Sequence, residues 1–411
     1  MQQPNEHGTN RQSQKGLSRA TVLVFAVTAG LSVANIYYAQ PLLDSIANDF
    51  DIAPSELGLV VTLTQIGYAL GLIFLVPLGD LIDRRRLIIG QGILSVIALI
   101  TVATAETRAI LFAGLAAVGL LAVMVQVLVA FAASLSAPAE RGRAIGVVTS
   151  GVVIGILAAR LIAGLLADLG GWRAVYLTSA ILTAGMVVLL MRVLPGQRQK
   201  RARQSYVDTV RSALQLFLRD RILLVRGVLA LLIFAAFSAF WTALVLPLSA
   251  QPFSYSHTQI GFLGLLGIAG AVAATGAGRL AGRSLGQWTT GSSLVLLLAS
   301  WALIAMLPTS VLFLLAGIVL LDLAVQAIHV TNQSIILDRY PDASSRLVGG
   351  YMVFYSIGSA SGAIASTFAY DRHGWFGVSM TGASFSAIAL LIWVATLRLI
   401  TERVYGRSES P

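Results

Sequence analysis

Between Ser284 and Leu321 the chain carries no Lys, Arg, Asp or Glu. A helix rising ~1.5 Å per residue crosses the ~30 Å hydrocarbon core of a bilayer in about 20 apolar residues, so this stretch is long enough for most of two crossings. A second stretch, 222–250, holds a single charge, Arg226. In lipid every backbone N–H and C=O must be satisfied internally, which leaves helices and closed barrels. Barrel strands alternate apolar and polar residues, whereas these runs are continuously apolar. Of 411 residues 57% are hydrophobic and 11% charged, against about 25% charged in a soluble domain. An ordinary soluble globule is excluded, and so is a charge-rich disordered chain. The fold class expected is an all-α polytopic membrane protein with twelve transmembrane helices.

The expected spans are 19–42, 55–77, 87–105, 109–133, 144–167, 173–194, 222–248, 258–281, 287–307, 309–337, 346–370 and 375–397. Pro41, Pro247 and Pro308 fall near helix ends, where a missing N–H costs little. Ser55 and Thr258 are read as N-caps of the second and eighth spans. With the N-terminus in the cytoplasm, 24 Lys and Arg fall on the cytoplasmic side and three outside (Arg108, Arg173, Arg372). Arg160 lies within a span, and Arg226 is counted with the central loop and its edges. That asymmetry fixes the orientation, with both termini cytoplasmic. It also accounts for the net charge of +10 without nucleic acid. The polar N-terminus lacks the apolar core of a cleavable signal, so the first span is expected to act as an uncleaved insertion signal. There is no cysteine, hence no disulfide and no Cys metal site. Four histidines without a ligand spacing give no metal or cofactor.

The expected organisation is a cytoplasmic tail (1–18), a six-helix bundle (19–194), a cytoplasmic linker (195–221), a second six-helix bundle (222–397) and a tail (398–411). Within the linker Val207, Val210, Leu214 and Phe217 recur on one helical face flanked by Arg211 and Arg219. This reads as an amphipathic helix on the cytoplasmic leaflet, either a tether or a docking surface. The two bundles are copies. At an offset of 203, Arg143 maps to Arg346, Gly146 to Gly349, Gly155 to Gly358, Asp168 to Asp371 and Trp172 to Trp375. Parallel repeats place a substrate path between the bundles, which argues for a transporter.

The loop after span 2 reads Gly79-Asp80-Leu81-Ile82-Asp83-Arg84-Arg85-Arg86. A Gly, three residues, an acid and a basic cluster resemble motif A of the major facilitator superfamily, and Gly278–Arg283 is a degenerate copy without the acid. In span 5, Gly146, Gly151, Gly155 and Gly164 resemble the glycine-rich motif C of the drug:proton antiporter branch, with Ala159 and Arg160 where that motif has Gly-Pro. Span 4 lacks the Arg of that branch's motif B and carries Gln126. The run Asn35 to Pro41 is similar to a bacterial efflux subgroup. The resemblance implies two six-helix bundles related by a pseudo-two-fold axis and alternating access in a bacterial-type inner membrane. It also implies a latch between bundles at Gly79, Asp83 and Arg84–Arg86. Simple positive-inside anchoring is the other reading of that cluster, and close helix packing is the reading of the span-5 glycines.

Charges inside a bilayer are costly and usually functional. Asp322, Gln326, His329 and Gln333 recur at i, i+4, i+7 and i+11, on one face of span 10. Asp322 is the carboxylate nearest the midplane, where burial favours the neutral, proton-carrying form of such a group. His329 titrates near neutrality without help. Asp322, His329 and Arg160 are therefore the proton-coupling candidates, and a structural ion pair or a satisfied polar helix face is the alternative for Asp322 and His329. Arg160 could pair with Asp322, bind an anionic substrate, replace the missing span-4 arginine, or snorkel outward. Tyr37, Tyr38, Gln40, Gln126, Trp241, Gln326 and Gln333 are substrate-binding candidates. For the tyrosines and Trp241 an interfacial belt is the competing reading, and for Gln326 and Gln333 interhelical hydrogen bonding. An enzyme would need a nucleophile–base pair or a metal cluster at one depth, and none is present. The expected function is proton-coupled efflux of a small organic solute by a monomer working with protons and the lipid bilayer. The alternative is an uptake carrier or uniporter for a metabolite on the same fold.

Overall fold

The computed structural model describes residues 18–137, 140–194, 206, 215–217, 219–280, 285–339 and 344–405. Among the described residues the regular structure is helical. In the first half run α1 (Arg19–Tyr37), α2 (Leu43–Phe50), α3 (Gly58–Phe74), α4 (Arg84–Ala103), α5 (Arg108–Ala122), α6 (Met124–Leu135) and α7 (Arg141–Val193). The second half holds α8 (Arg221–Ala243), α9 (Val245–Ser249), α10 (His257–Leu263), α11 (Ile268–Leu280), α12 (Gly286–Ala305), α13 (Val311–Arg339) and α14 (Ser344–Tyr405). Nine helices among the described residues are long and apolar enough to cross a membrane. Two of them, in α7 and α14, are each a pair of helices joined at a kink, at Gly170–Gly171 and at Gly374.

The internal repeat reappears in the backbone. Gly171 and Gly374, 203 positions apart, both adopt positive φ (76° and 58°), a conformation that glycine enters without steric cost. Each turns the chain immediately before a buried tryptophan, Trp172 or Trp375. The indole of Trp172 donates to Asp49 and that of Trp375 to the Ile304 carbonyl, both at 2.8 Å. Glycine packing is repeated too. Gly151 and Gly155 of α7 lie against the backbone of α1 at Ala26 and Gly30, and Gly358 and Gly362 of α14 against α8 at Leu231 and Ala235. Any side chain at these positions would strike main-chain atoms, so bare backbone at the contact allows the close crossings.

The halves meet at the end remote from the arginine-rich loops, the outer end on the charge count. There α3 packs on α14 and α7 on α10. The Gly58 N–H donates to Thr367 Oγ1 (3.1 Å), the Thr62 hydroxyl donates to the Ala360 carbonyl (2.8 Å), and Gly164 abuts the His257 backbone. Toward the cytoplasmic ends of the same spans, a Cβ on Gly146, Gly276 or Gly349 would meet no atom within 4 Å. The end remote from the arginine-rich loops is closed.

Several local expectations are corrected. The cap at the start of α10 is Ser256 and not Thr258. Its side chain accepts from Gln259 N–H while the Gln259 side chain returns to the Ser256 N–H, forming a capping box that satisfies two of the helix's free donors. Ser55 lies in a short 3-10 turn, Pro54–Glu56, and makes no cap for α3. Pro247, as expected, lies near a span end, two residues before Ser249. Spans 4 and 8 are interrupted, at Val123 and by a 3-10 turn over Gly264–Gly267. Arg226, counted with the loop, is fully buried inside α8. Of the linker stripe, Val207, Val210 and Leu214 lie outside the described residues. Phe217 is buried against Gly350 and Phe354 of α14, packed on protein and not on a lipid surface.

Candidate functional site

Where α7 crosses α10, the chain brings charged side chains from both halves together. Arg160 extends from α7, only 3% exposed. Its Nε donates to Gln40 Oε1 at 2.8 Å. Its guanidinium carbon lies 3.9 Å from the Trp241 ring centroid, 5.2 Å from that of Tyr37 and 5.8 Å from that of Phe237. Stacking of this kind favours a cation, most strongly on an indole and in a desolvated setting. Nη2 has no partner.

Asp322, 4% exposed, faces the same indole from α13 and accepts its Nε1–H at 3.3 Å. Arg160 and Asp322 form no direct ion pair. Trp241 of α8 stands between them, its π face toward the cation and its N–H toward the carboxylate. The 3-10 turn of span 8 makes room for both charges. A Cβ on Gly264 would sit 3.1 Å from Arg160 Cβ, and one on Gly267 would sit 3.0 Å from Asp322 Oδ2. A side chain at either glycine would press on one of the two charged residues.

Aromatic hydroxyls flank the cluster. Tyr37 of α1 meets Tyr355 of α14 at 2.6 Å between hydroxyls, and the Tyr355 ring packs edge-on against Phe234 at 4.2 Å. Gln126 donates to the buried Tyr68 hydroxyl at 3.3 Å. His329 turns elsewhere: its Nδ1 is 3.1 Å from the Tyr351 hydroxyl and its ring is edge-on to Phe234 at 5.1 Å. Gln326 packs against Gly270, and Gln333 is half-buried two turns further along α13. Tyr38, though buried, faces an apolar groove between α1 and α7 lined by Leu23, Gly30, Gly151 and Ile162. The structure therefore gathers Arg160, Asp322, Trp241, Tyr37 and Gln40 in one cluster, with Gln326 on the same face of α13. It sets Gln126, His329, Gln333 and Tyr38 around or away from that cluster.

The motif A residues occupy the end of the first half opposite the closed one. Asp83 caps α4, accepting from Arg85 N (2.7 Å) and Arg86 N (3.3 Å). Arg84 donates to the carbonyls of Gly79 (2.9 Å) and Ala130 (3.2 Å), and Arg85 Nη2 to that of Met191 (2.7 Å). These hydrogen bonds tie spans 2, 3, 4 and 6 to one another.

Sequence reasoning missed a third group, at the outer rim. His257, the first residue of α10, reaches into the other half. Its Nδ1 lies 3.0 Å from Asp168 Oδ1, and its Nε2 lies 3.1 Å from Asp44 Oδ1 and 2.9 Å from Ser45 Oγ. The backbone N–H groups of His257 and Thr258 also donate to Asp168, at 3.2 and 2.9 Å. Hydrogen bonding to Asp44 first, then the charges of Asp44 and the contact with Asp168, raise the imidazole pKa above its ordinary value despite partial burial. The sequence signal is Asp168 itself, an acid at the end of an apolar span that needs a donor.

Two repeat-related halves of apolar helices, sealed on one side over a buried cluster of opposite charges, form the architecture of a membrane transporter. The family model described as Major Facilitator Superfamily matches residues 24–299 and 228–409, and the chain belongs to that superfamily. It is 44% identical over 377 residues to the "Uncharacterized transporter YgaY" of Escherichia coli O157:H7, covering 92% of this chain and 95% of that one. It is 23% identical to the "Probable sugar efflux transporter" of Pasteurella multocida (strain Pm70), over 91% of each. Among solved structures, a bacterial homolog of the human lysosomal transporter Spinster, inward-facing and unoccupied, has the same fold. The TM-score is 0.77 at 14% identity, over 92% of this chain and 97% of that one.

Proposed function

We propose that this transporter exports a small organic solute in exchange for protons, with Asp322 as the proton-binding group. The observation that carries the reading is the Arg160–Trp241–Asp322 arrangement. A buried cation and a buried carboxylate from opposite halves share one indole and do not neutralise each other by direct contact. Such a carboxylate is free to exchange a proton for a substrate contact, because no salt bridge need break first. Arg160 holds Gln40 and the indole in place, and Tyr37, Trp241 and Gln326 offer the solute its first polar and aromatic contacts.

In the outer-closed arrangement the cluster discharges protons and collects solute from the cytoplasmic side. Opening of the α3–α14 and α7–α10 contacts then presents it outward. Motif A, at Gly79, Asp83 and Arg84–Arg86, latches the cytoplasmic ends while the outer side is open. The protein works as a monomer in the bacterial inner membrane with both termini in the cytoplasm. The name of the Pasteurella relative agrees with export.

The test is solute accumulation in everted vesicles driven by an imposed pH gradient. The wild type accumulates solute, and Asp322→Asn inserts normally and does not. Full pH-driven exchange by Asp322→Asn removes Asp322 from the mechanism. Accumulation confined to right-side-out vesicles makes the protein an uptake carrier.

A further inference from the structure

A second buried guanidinium lies outside the cluster that the transport reading uses. Arg226, 0% exposed, sits five residues into α8. It is 15 residues before Trp241, or ~22 Å along a helix rising ~1.5 Å per residue, so it belongs to the cytoplasmic half of the second bundle. Its Nη1 donates to Thr290 Oγ1 of α12 at 3.0 Å and to Asn332 Oδ1 of α13 at 2.9 Å. Nε and Nη2 have no partner, and neither does Nδ2 of the same Asn332. Leu223 and Ala230 lie one turn either side of Arg226 on its own helix, and they belong to an apolar cluster with Phe217, Ile336, Leu347 and Tyr351. No carboxylate pairs with Arg226 among the described residues. Asp220, the nearest acid in sequence, caps α8 and pairs with Arg339 at 2.8 Å.

A buried cation without a counter-charge is strongly unfavourable. Water would satisfy its hydrogen bonds and leave the charge. The unpartnered atoms are also a specific pair. Nε and Nη2 share one edge of the guanidinium, the fork that grips two oxygens of a planar oxyanion and that can chelate a single halide. The Asn332 amide adds a further donor beside it. Every unpartnered group named here donates; the Tyr351 hydroxyl, already 3.1 Å from His329 Nδ1, also lies beside Asn332 and Arg226 but carries no charge to balance the guanidinium. We propose that this contact between α8, α12 and α13 binds a small monovalent anion, a halide or a planar oxyanion such as nitrate, on the Nε/Nη2 edge of Arg226. The anion is a structural counter-ion of the second bundle and does not travel with the solute.

The test uses the full chain in detergent, exchanged into gluconate, an anion too bulky for the site. Nitrate or bromide is then titrated in while thermal unfolding is followed. The expected result is a saturable rise in midpoint of a few degrees, as for any ligand that binds only the folded state. Arg226→Met, which replaces the cation by an apolar chain of similar length, loses the response. Its midpoint in gluconate is equal to or above that of the wild type. A wild-type midpoint indifferent to both anions, or an equal response in Arg226→Met, overturns the proposal. If Arg226→Met does not fold, crystals of the unaltered protein grown in bromide decide. An anomalous peak against Nε and Nη2 supports the site, and an ordered water alone there refutes it.

Discussion

Gly58→Ala is predicted to open the outer gate without weakening the fold. A Cβ at Gly58 would lie 2.5 Å from the Ala363 carbonyl oxygen, 2.5 Å from Thr367 Oγ1 and 2.7 Å from Ile364 Cα. Ordinary contact begins at 3.4 Å, so α3 and α14 must separate by roughly 0.9 Å, and two of the three obstacles are backbone atoms that cannot rotate away. Overpacking of this kind costs about 1–3 kcal/mol. Here the cost falls only on the outer-closed arrangement, because Gly58 touches the opposite half. A bias of that size changes a two-state ratio by about 5–150-fold. The first residue of α3 has no positive φ, so alanine adds no backbone strain there and slightly favours the helix.

The chain contains no cysteine, so spin labels can be placed at Ala53→Cys and His373→Cys without background. The expected result is a shift of the distance distribution across the outer rim toward longer values. The control is Gly317→Ala, whose Cβ would meet Ile304 within the second half, 2.7 Å from its Cγ1. It should lower the unfolding midpoint and leave the distribution unchanged. An unaltered distribution in Gly58→Ala refutes the assignment of α3–α14 as the outer seal.

Further outcomes follow from the same geometry. In the wild type the outer-closed fraction should fall as pH rises. His257 binds its proton more tightly when facing Asp44 and Asp168 than when the halves part. That stabilisation is complete below the open-state pKa and is lost as pH passes through the raised closed-state value; in His257→Gln the same spin-label distances should be flat with pH. Trp241→Phe keeps a ring under Arg160 and deletes the N–H to Asp322, so pH-driven exchange should slow by about tenfold, near the ~1.5 kcal/mol lower bound for a hydrogen bond to a charged group, with expression unchanged. Arg160→Lys keeps the charge but loses the planar stack on Trp241 and the Nε bond to Gln40. Solute binding measured by tryptophan fluorescence should weaken, and wild-type affinity in that variant would make Arg160 a purely electrostatic residue.

The fold was legible because lipid leaves a chain few choices. Charge-free runs, the Lys and Arg asymmetry and the 203-residue repeat each follow from one-dimensional patterns, and Gly171 and Gly374 extend that repeat into backbone angles. Asp322 and Arg160 were legible as charges in apolar runs. Their relation was not, since it depends on an indole from a third helix and on two glycines that clear space for them. Tyr37 and Tyr355 are 318 positions apart, and no local pattern links them. Arg226 was not legible, because a charge near the start of an apolar run fits a loop edge as well as a span. The cap at Ser256 was missed by two residues because Thr258, also a good capping residue, stands beside it.

The turns at Gly171 and Gly374 make the connections of this protein unequal as handles. At each turn the chain reverses with no loop to extend, and a tryptophan anchored by its indole N–H follows at once. An epitope tag inserted there would pull Trp172 from Asp49 or Trp375 from Ile304 before it reached solvent. Proteases added from outside should likewise find little to cut at these corners. Tags, tethers and cleavage sites meant to report on this transporter belong in connections other than these two turns.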